Sequence, residues 1–498
     1  MKILNLIIVI FFTIILSACS GLPKKEVYSD NQAYNQKRTQ GFYESIIKQD
    51  TVDLSKLNLF FTQMPKGGDL HHHYSGTIYA ETYLDWVKAK GWFIDLCTLK
   101  IIKSSSDATK SCPALTVDNL LKNEVAYRKL LTLWSDKDYD NHYHDQPAPD
   151  TNFFNTFGYF RPISNEYMDK GLAILKNRAI KENVSYIETM LTRVGVKTSS
   201  YFTKKDINTF DQELHSAKSQ QEVNKVLDQI SKALDQNKLF SDKIDSFVKM
   251  IETNHTGLDD GQFTMRYQTY TVRVLNPVQI FADLYSGYLA VEKSPLVVGV
   301  NIVAPENNHV ALSDYTLHMQ MYNYLLNKYP NVNRALHAGE LTLGMVRPKD
   351  LDFHINEAMS IAKAQRIGHG IDIPYEKDSI ALLKDLKDNA VIEINLTSNQ
   401  FILGVEKEEH PYQIYASYGV PMVISTDDSG VSRNNLSNEY VLLASRYKPD
   451  YTQIKKYVYN SIKYSFLSAE DKQKQTSILD KKFELFEKNM ATLAAKMH

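Results

Sequence analysis

The chain has no excess of charge of either sign. Its 57 lysines and arginines meet 58 aspartates and glutamates, for a formal charge of −1. There is no bulk field to recruit nucleic acid or an anionic lipid surface. Cysteine is scarce, at three in 498 residues. There is no internal repeat and no low-complexity tract. No apolar run is long enough to span a bilayer, which takes about 20 residues. The one candidate, 3–16, is shorter and is interrupted by Asn5 and Thr13.

What that N-terminus does contain is the pattern of an export signal. Lys2 supplies the positive start, and the apolar run ends in Leu16-Ser17-Ala18-Cys19. This resembles the lipobox of bacterial lipoproteins, in which the cysteine is lipidated and becomes the mature N-terminus. The resemblance implies removal of 1–18, lipidation at Cys19 and an exported protein tied to the cell envelope. Its contact with the membrane would be the lipid alone. An ordinary signal peptide with an incidental cysteine is the alternative. Residues 19–62 are polar and lysine-rich, and are expected to form a tether with one helical segment near 42–47. Cys97 and Cys112, fifteen residues apart, are expected to close a local disulfide in an oxidising compartment; two free buried thiols are the alternative.

Eight short apolar or alternating runs follow, at 69–74, 184–191, 267–275, 296–303, 333–337, 366–369, 391–396 and 421–426. Helical patterns separate them, for example over 315–328, 355–364 and 378–388. Eight strand–helix units predict an α/β fold closed into a (β/α)₈ barrel, occupying 63–498. The gap between the first two runs is about 110 residues. It predicts a long insertion, about 88–150, on the side where such barrels place their sites. A second gap, 203–264, reads as mostly helical.

Four clusters fall at strand ends. In Asp69-Leu70-His71-His72-His73, residues two apart share a face, so His71 and His73 point together and His72 points away. In Leu336-His337-Ala338-Gly339-Glu340, a histidine precedes a carboxylate across a tight turn. Arg366-Ile367-Gly368-His369-Gly370 places a histidine between glycines, where a backbone can approach a ligand closely. Ser425-Thr426-Asp427-Asp428 ends an apolar strand in two carboxylates that need a cation or donors. Each has a plain alternative, such as solvated strand-end histidines or an aspartate helix cap. Together they form one site. Histidine nitrogens with one carboxylate suit a single Zn²⁺ better than the all-oxygen shells of magnesium or calcium.

In this order, the motifs resemble the adenosine deaminase family of the amidohydrolase superfamily. Met64-Pro65-Lys66 ahead of His71-x-His73, with a cysteine-bearing insertion after it, is closest to that family's secreted growth-factor-like branch. The resemblance implies zinc ligands His71, His73, His337 and Asp427. It implies catalytic roles for Glu340, as proton donor to purine N1, and for His369 and Asp427, which orient the attacking water toward C6. It implies substrate contacts from Asp428 to N7 and from the Ala304 N–H to N3. The substrate would be adenosine or 2′-deoxyadenosine. Adenine or another 6-substituted purine nucleoside is one alternative. A surface lipoprotein that binds a nucleoside or a partner without catalysis is another. Two positions depart from the family. Tyr74 and Ser75 stand where it carries a ribose-binding aspartate, and Ala304 replaces a glycine. The paired-cysteine signature of the cytidine-type deaminases is absent. So is a lysine over 296–304, which many two-metal relatives use to bridge their metals.

Overall fold

The computed structural model of the chain describes residues 31–137, 139 and 147–496. The expected signal peptide and Cys19 lie outside the described residues.

Eight parallel strands form one sheet in chain order: β1 Gly67–His73, β2 Val184–Met190, β3 Thr264–Val272, β4 Val297–Val303, β5 Asn333–Ala338, β6 Arg366–His369, β7 Val391–Ile394 and β8 Met422–Ile424. Each falls on one of the eight expected runs. Strands such as β4, Val-Val-Gly-Val-Asn-Ile-Val, are buried nearly end to end, as parallel strands covered on both faces must be. The sheet closes on itself. A parallel bridge joins His72 to Asp427; the His73 N–H donates to Asp427 O at 3.1 Å, and the Asp427 N–H donates to His71 O at 2.9 Å. The result is a (β/α)₈ barrel whose strands all end at one face.

The excursion between β1 and β2 holds a small antiparallel sheet of Phe93–Asp95, Ile101–Ile102 and Ala114–Leu115. Cys97 and Cys112 form a disulfide beside it. The excursion's helices include Tyr74–Thr77, Ala80–Ala89, Val117–Lys122, Glu124–Trp134, Pro149–Ser164 and Met168–Lys181. Between β2 and β3 stand three long helices, Lys204–Ser216, Gln220–Asp235 and Lys238–His255.

The segment before β1 differs from the expected tether. Over 31–62 it forms two helices, Gln32–Ile47 and Leu54–Gln63, both packed onto the body. Phe42, Tyr43, Ile46 and Ile47 are buried. Phe60 packs against Tyr43 and Phe486 at ring separations of 5.2 Å. The Thr39 hydroxyl donates to Glu487 O at 3.0 Å, on helix Ala469–Lys496. The apolar face is only one stripe in a polar helix, so average composition hides it. Among the described residues no helix is long and apolar enough to cross a membrane.

Candidate active site

β1 delivers His71 and His73 to the barrel mouth on one face. His72 turns to the other, where its Nδ1 lies 2.9 Å from Thr189 Oγ1. β5 ends in His337 and β8 leads into Asp427. Ligand atoms of His71, His73, His337 and Asp427 all lie within 4.8 Å of one another. Asp427 Oδ1 is 3.3 Å from His71 Nε2 and 3.1 Å from His73 Nε2. His73 Nε2 is 3.3 Å from His337 Nε2.

The partners on the far sides of these rings decide what the near sides carry. His71 Nδ1 lies 2.7 Å from Glu393 Oε2, and His337 Nδ1 lies 2.9 Å from Asn301 Oδ1. Both acceptors make Nδ1 the protonated nitrogen, which leaves an Nε2 lone pair aimed inward. His71 Nε2 is buried with no hydrogen-bond partner among the described residues. Lone pairs facing each other and a carboxylate at about 3 Å repel unless a cation lies among them. Burial opposes a charge on His71, but Asp427 and Glu393 on either side push its pKa up to about 10, so the Nε2 position calls for positive charge, either a proton or a cation in its place. Burial and the neighbouring histidines hold His337 neutral. Three inward nitrogens and one carboxylate fit a zinc ion.

Glu340, His369 and Asp427 form the second group. His369 Nε2 is 3.6 Å from Glu340 Oε1 and 3.9 Å from Asp427 Oδ2. Its Nδ1 is fixed at 2.8 Å by Asn399 Oδ1. Asp427 Oδ2 accepts from the Ser398 hydroxyl at 2.6 Å. Burial, with Asp427 and Glu306 nearby, raises the Glu340 carboxyl from its ordinary 4.5 to about 7, against the pull of His369. Asp428 is buried, and its Oδ1 has no partner among the described residues. Burial, Asp427 and Glu340 keep it protonated far above the usual carboxylate range.

Three non-glycine residues here take left-handed backbone angles: Ala304 at φ +88°, His369 at +67° and Asp427 at +58°. Such strain gathers at functional sites. Ala304 thus adopts the conformation a glycine would take without cost. Gly368 is needed for space. A Cβ there would sit 2.6 Å from the His71 ring.

Sequence reasoning missed the supports behind the site. Arg366 links Glu393, at 2.6 Å, to Glu188, at 2.5 Å. Gln268 donates to Glu188 at 2.9 Å, and Asn301 donates to Gln268 at 3.0 Å. The chain of contacts runs through the barrel interior from His71 round to His337. Glu306 accepts from the N–H groups of Gly339 and Glu340 at 3.1 and 3.0 Å and so sets the turn carrying Glu340. A signal was present. Lone polar residues in strands read as fully buried, such as Glu393 in Val-Ile-Glu-Ile, must find partners. Tyr74 is not at the pocket; its hydroxyl donates to Ser164 O at 3.2 Å.

The sequence profile described as adenosine deaminase matches 215–482, more than half of the 498 residues. The chain belongs to the adenosine deaminase family. An adenosine deaminase of Enterococcus faecalis is 32% identical over 151 residues, 30% of this chain and 41% of that protein. One from Clostridium perfringens is 28% identical over 190 residues, 38% of this chain and 54% of that protein. The chain thus spans about half the length of the curated relatives it matches. Among solved structures, the Arabidopsis N6-mAMP deaminase has a TM-score of 0.55 at 17% identity and covers 85% of this chain and 99% of its own. The adenine deaminase of Arthrobacter aurescens has a TM-score of 0.50 at 14% identity, covering 84% and 98%. These likenesses bear on the fold. The family match takes in His337, Glu340, His369 and both aspartates. The barrel brings in His71 and His73 from outside it.

Proposed function

We propose that this site hydrolyses the 6-amino group of adenosine or 2′-deoxyadenosine, releasing ammonia and leaving inosine or 2′-deoxyinosine. The observation that carries the reading is the meeting of Glu340, His369 and Asp427 beside three inward-facing imidazole nitrogens. His71, His73, His337 and Asp427 would hold one zinc. When bound, that ion supplies Lewis acidity, which makes water a nucleophile near neutral pH.

The chain's own groups do the rest. Asp427 and His369 orient the attacking water and accept its proton. Glu340, protonated because it is buried, gives a proton to ring N1 as C6 becomes tetrahedral, so negative charge does not build on the ring. Asp428 in its neutral form donates to N7 and sets which way the base lies. The Ala304 N–H would serve N3. A spectrophotometric screen of adenosine, 2′-deoxyadenosine, adenine and methylthioadenosine tests the reading. It fails if none is deaminated, and its nucleoside part fails if only the free base reacts.

A second reading, a deaminase of adenine or another 6-substituted purine nucleoside, draws on the uncharged Ser75 beside the ligand pair. We also infer export and lipid anchoring at Cys19. The Cys97–Cys112 disulfide supports an oxidising compartment.

A further inference from the structure

His337 on β5 and His369 on β6 both enter the site, and each has its Nδ1 against an asparagine. The two asparagines are pinned in opposite senses. Asn301 Oδ1 accepts from the Ile302 N–H at 2.8 Å, and the Asn301 amide nitrogen donates to Gln268 Oε1 at 3.0 Å. A backbone N–H only donates, so Asn301 presents oxygen to His337. That oxygen takes the Nδ1 hydrogen and leaves the His337 Nε2 lone pair facing inward.

Asn399 is held differently. It stands on helix Leu396–Leu403, after β7. One end of its amide is 2.8 Å from His369 Nδ1, and the other is 2.9 Å from His410 Nε2. His410 Nδ1 accepts from the Tyr412 N–H at 3.1 Å. Tyr412 opens helix Tyr412–Tyr418, where a first-turn N–H finds no acceptor within the helix. His410 Nδ1 therefore carries no hydrogen. Burial keeps the ring neutral, lowering its pKa to about 3, so its one hydrogen sits on Nε2. An Nε2–H must meet the Asn399 oxygen, and the amide nitrogen then faces His369 and donates to Nδ1. The two ends of an amide have nearly the same shape, and only their partners tell them apart. With Oδ1 toward His369, His410 would have to accept at both nitrogens, which a neutral imidazole cannot do. Turning the amide over satisfies all three contacts.

The far side of the ring agrees. His369 Nε2 is buried and has no hydrogen-bond partner among the described residues. It lies between Glu340 Oε1 and Asp427 Oδ2, at 3.6 and 3.9 Å. An N–H suits a position between two oxygens, whereas a lone pair there would be repelled by both.

We propose that the run from the Tyr412 N–H through His410 and Asn399 fixes His369 as its Nε2–H tautomer, so that His369 serves the site as a hydrogen-bond donor while His337 serves it as a lone pair. Asn399 and His410 are positioning residues. The proposal rests on the deaminase reading above and narrows it. The proton of the attacking water goes to Asp427, and His369 donates to that oxygen without taking a proton.

Neutron diffraction from crystals of the perdeuterated, zinc-loaded chain reads the tautomer directly. Deuterium is expected on Nε2 of His369 and of His410, with none on either Nδ1, and the Asn399 nitrogen should face His369. Deuterium on His369 Nδ1 overturns the proposal, whether or not Nε2 also carries one. Two variants read the consequence. His410→Gln keeps an acceptor for the Tyr412 N–H and a donor for Asn399, and its kcat should stay near that of wild type. His410→Leu has neither, and its kcat should fall by about 10–100-fold, the usual worth of an outer partner, with KM unchanged. Equal loss in both variants, or no loss in His410→Leu, overturns the relay. If neither variant folds, the wild-type neutron map still decides. No turnover of any 6-aminopurine overturns the deaminase reading, while the tautomer is read without activity.

Discussion

Glu393 Oε2 stands 2.7 Å from His71 Nδ1, joining β7 to β1 across 322 residues of sequence. Burial works against a charge on Glu393, but Arg366 and His71 hold its carboxyl below the usual range. The carboxylate fixes the tautomer and the direction of a ring proposed to bind the metal. Outer partners of this kind are worth about 10–100-fold in metal affinity. Glu393→Gln should weaken zinc binding by that order. Chelator competition on the purified protein measures it, and unchanged affinity would remove Glu393 from this role.

In the proposed mechanism Glu340 moves a proton and does not hold the metal. Glu340→Gln should keep a full zinc content while kcat drops by about 10²–10⁴-fold, the usual worth of a positioned acid. Metal analysis beside the deamination assay checks both halves. An active variant, or one that has lost its zinc, would contradict the assignment.

The pH profile follows from the same group. Glu340 donates only when protonated, and burial raises it to about 7. The acid form is therefore full well below 7 and falls about tenfold per pH unit above it. A bound cation favours the carboxylate and moves this limb down. The alkaline fall in kcat/KM should then begin at or below about 7. A profile flat to pH 9 would show that Glu340 is not the acid.

Helices Gln32–Ile47 and Leu54–Gln63 are part of the folded body. Phe60, fully buried among Tyr43, Phe61, Tyr451 and Phe486, should cost about 3–5 kcal/mol on change to alanine. Urea denaturation of Phe60→Ala measures this. A loss below about 1 kcal/mol would mean that these helices contribute little to the fold.

Loss of the Cys97–Cys112 bridge should destabilise the excursion locally. A loop of about 15 residues is worth about 3 kcal/mol in the chain-entropy account. Proteolysis of the Cys97→Ser, Cys112→Ser double variant should cut within the excursion first. Cleavage at the wild-type rate and position would count against a stabilising bridge.

The strand positions and the residues that converge were legible in the sequence because both signals are local. Strand period places His71 and His73 on one face within three residues, and apolar runs ending in His337, His369 and Asp427 mark the ends of their strands. A helical stripe of Phe42, Tyr43, Ile46 and Ile47 was hidden by the polar residues around it. Other features depend on pairs far apart in the chain, and no periodicity encodes those. Closure of β1 onto β8 made four strand ends into one cluster. Glu393 and Asn301 on strands, Asn399 on helix Leu396–Leu403 and Glu306 in the loop after β4 became supports only when the fold turned them toward the site. Ala304 revealed its glycine-like backbone only in the folded turn. Gly76 came to lie against Asp428 only in the fold, because the barrel brings residues 76 and 428 to the same edge of its mouth.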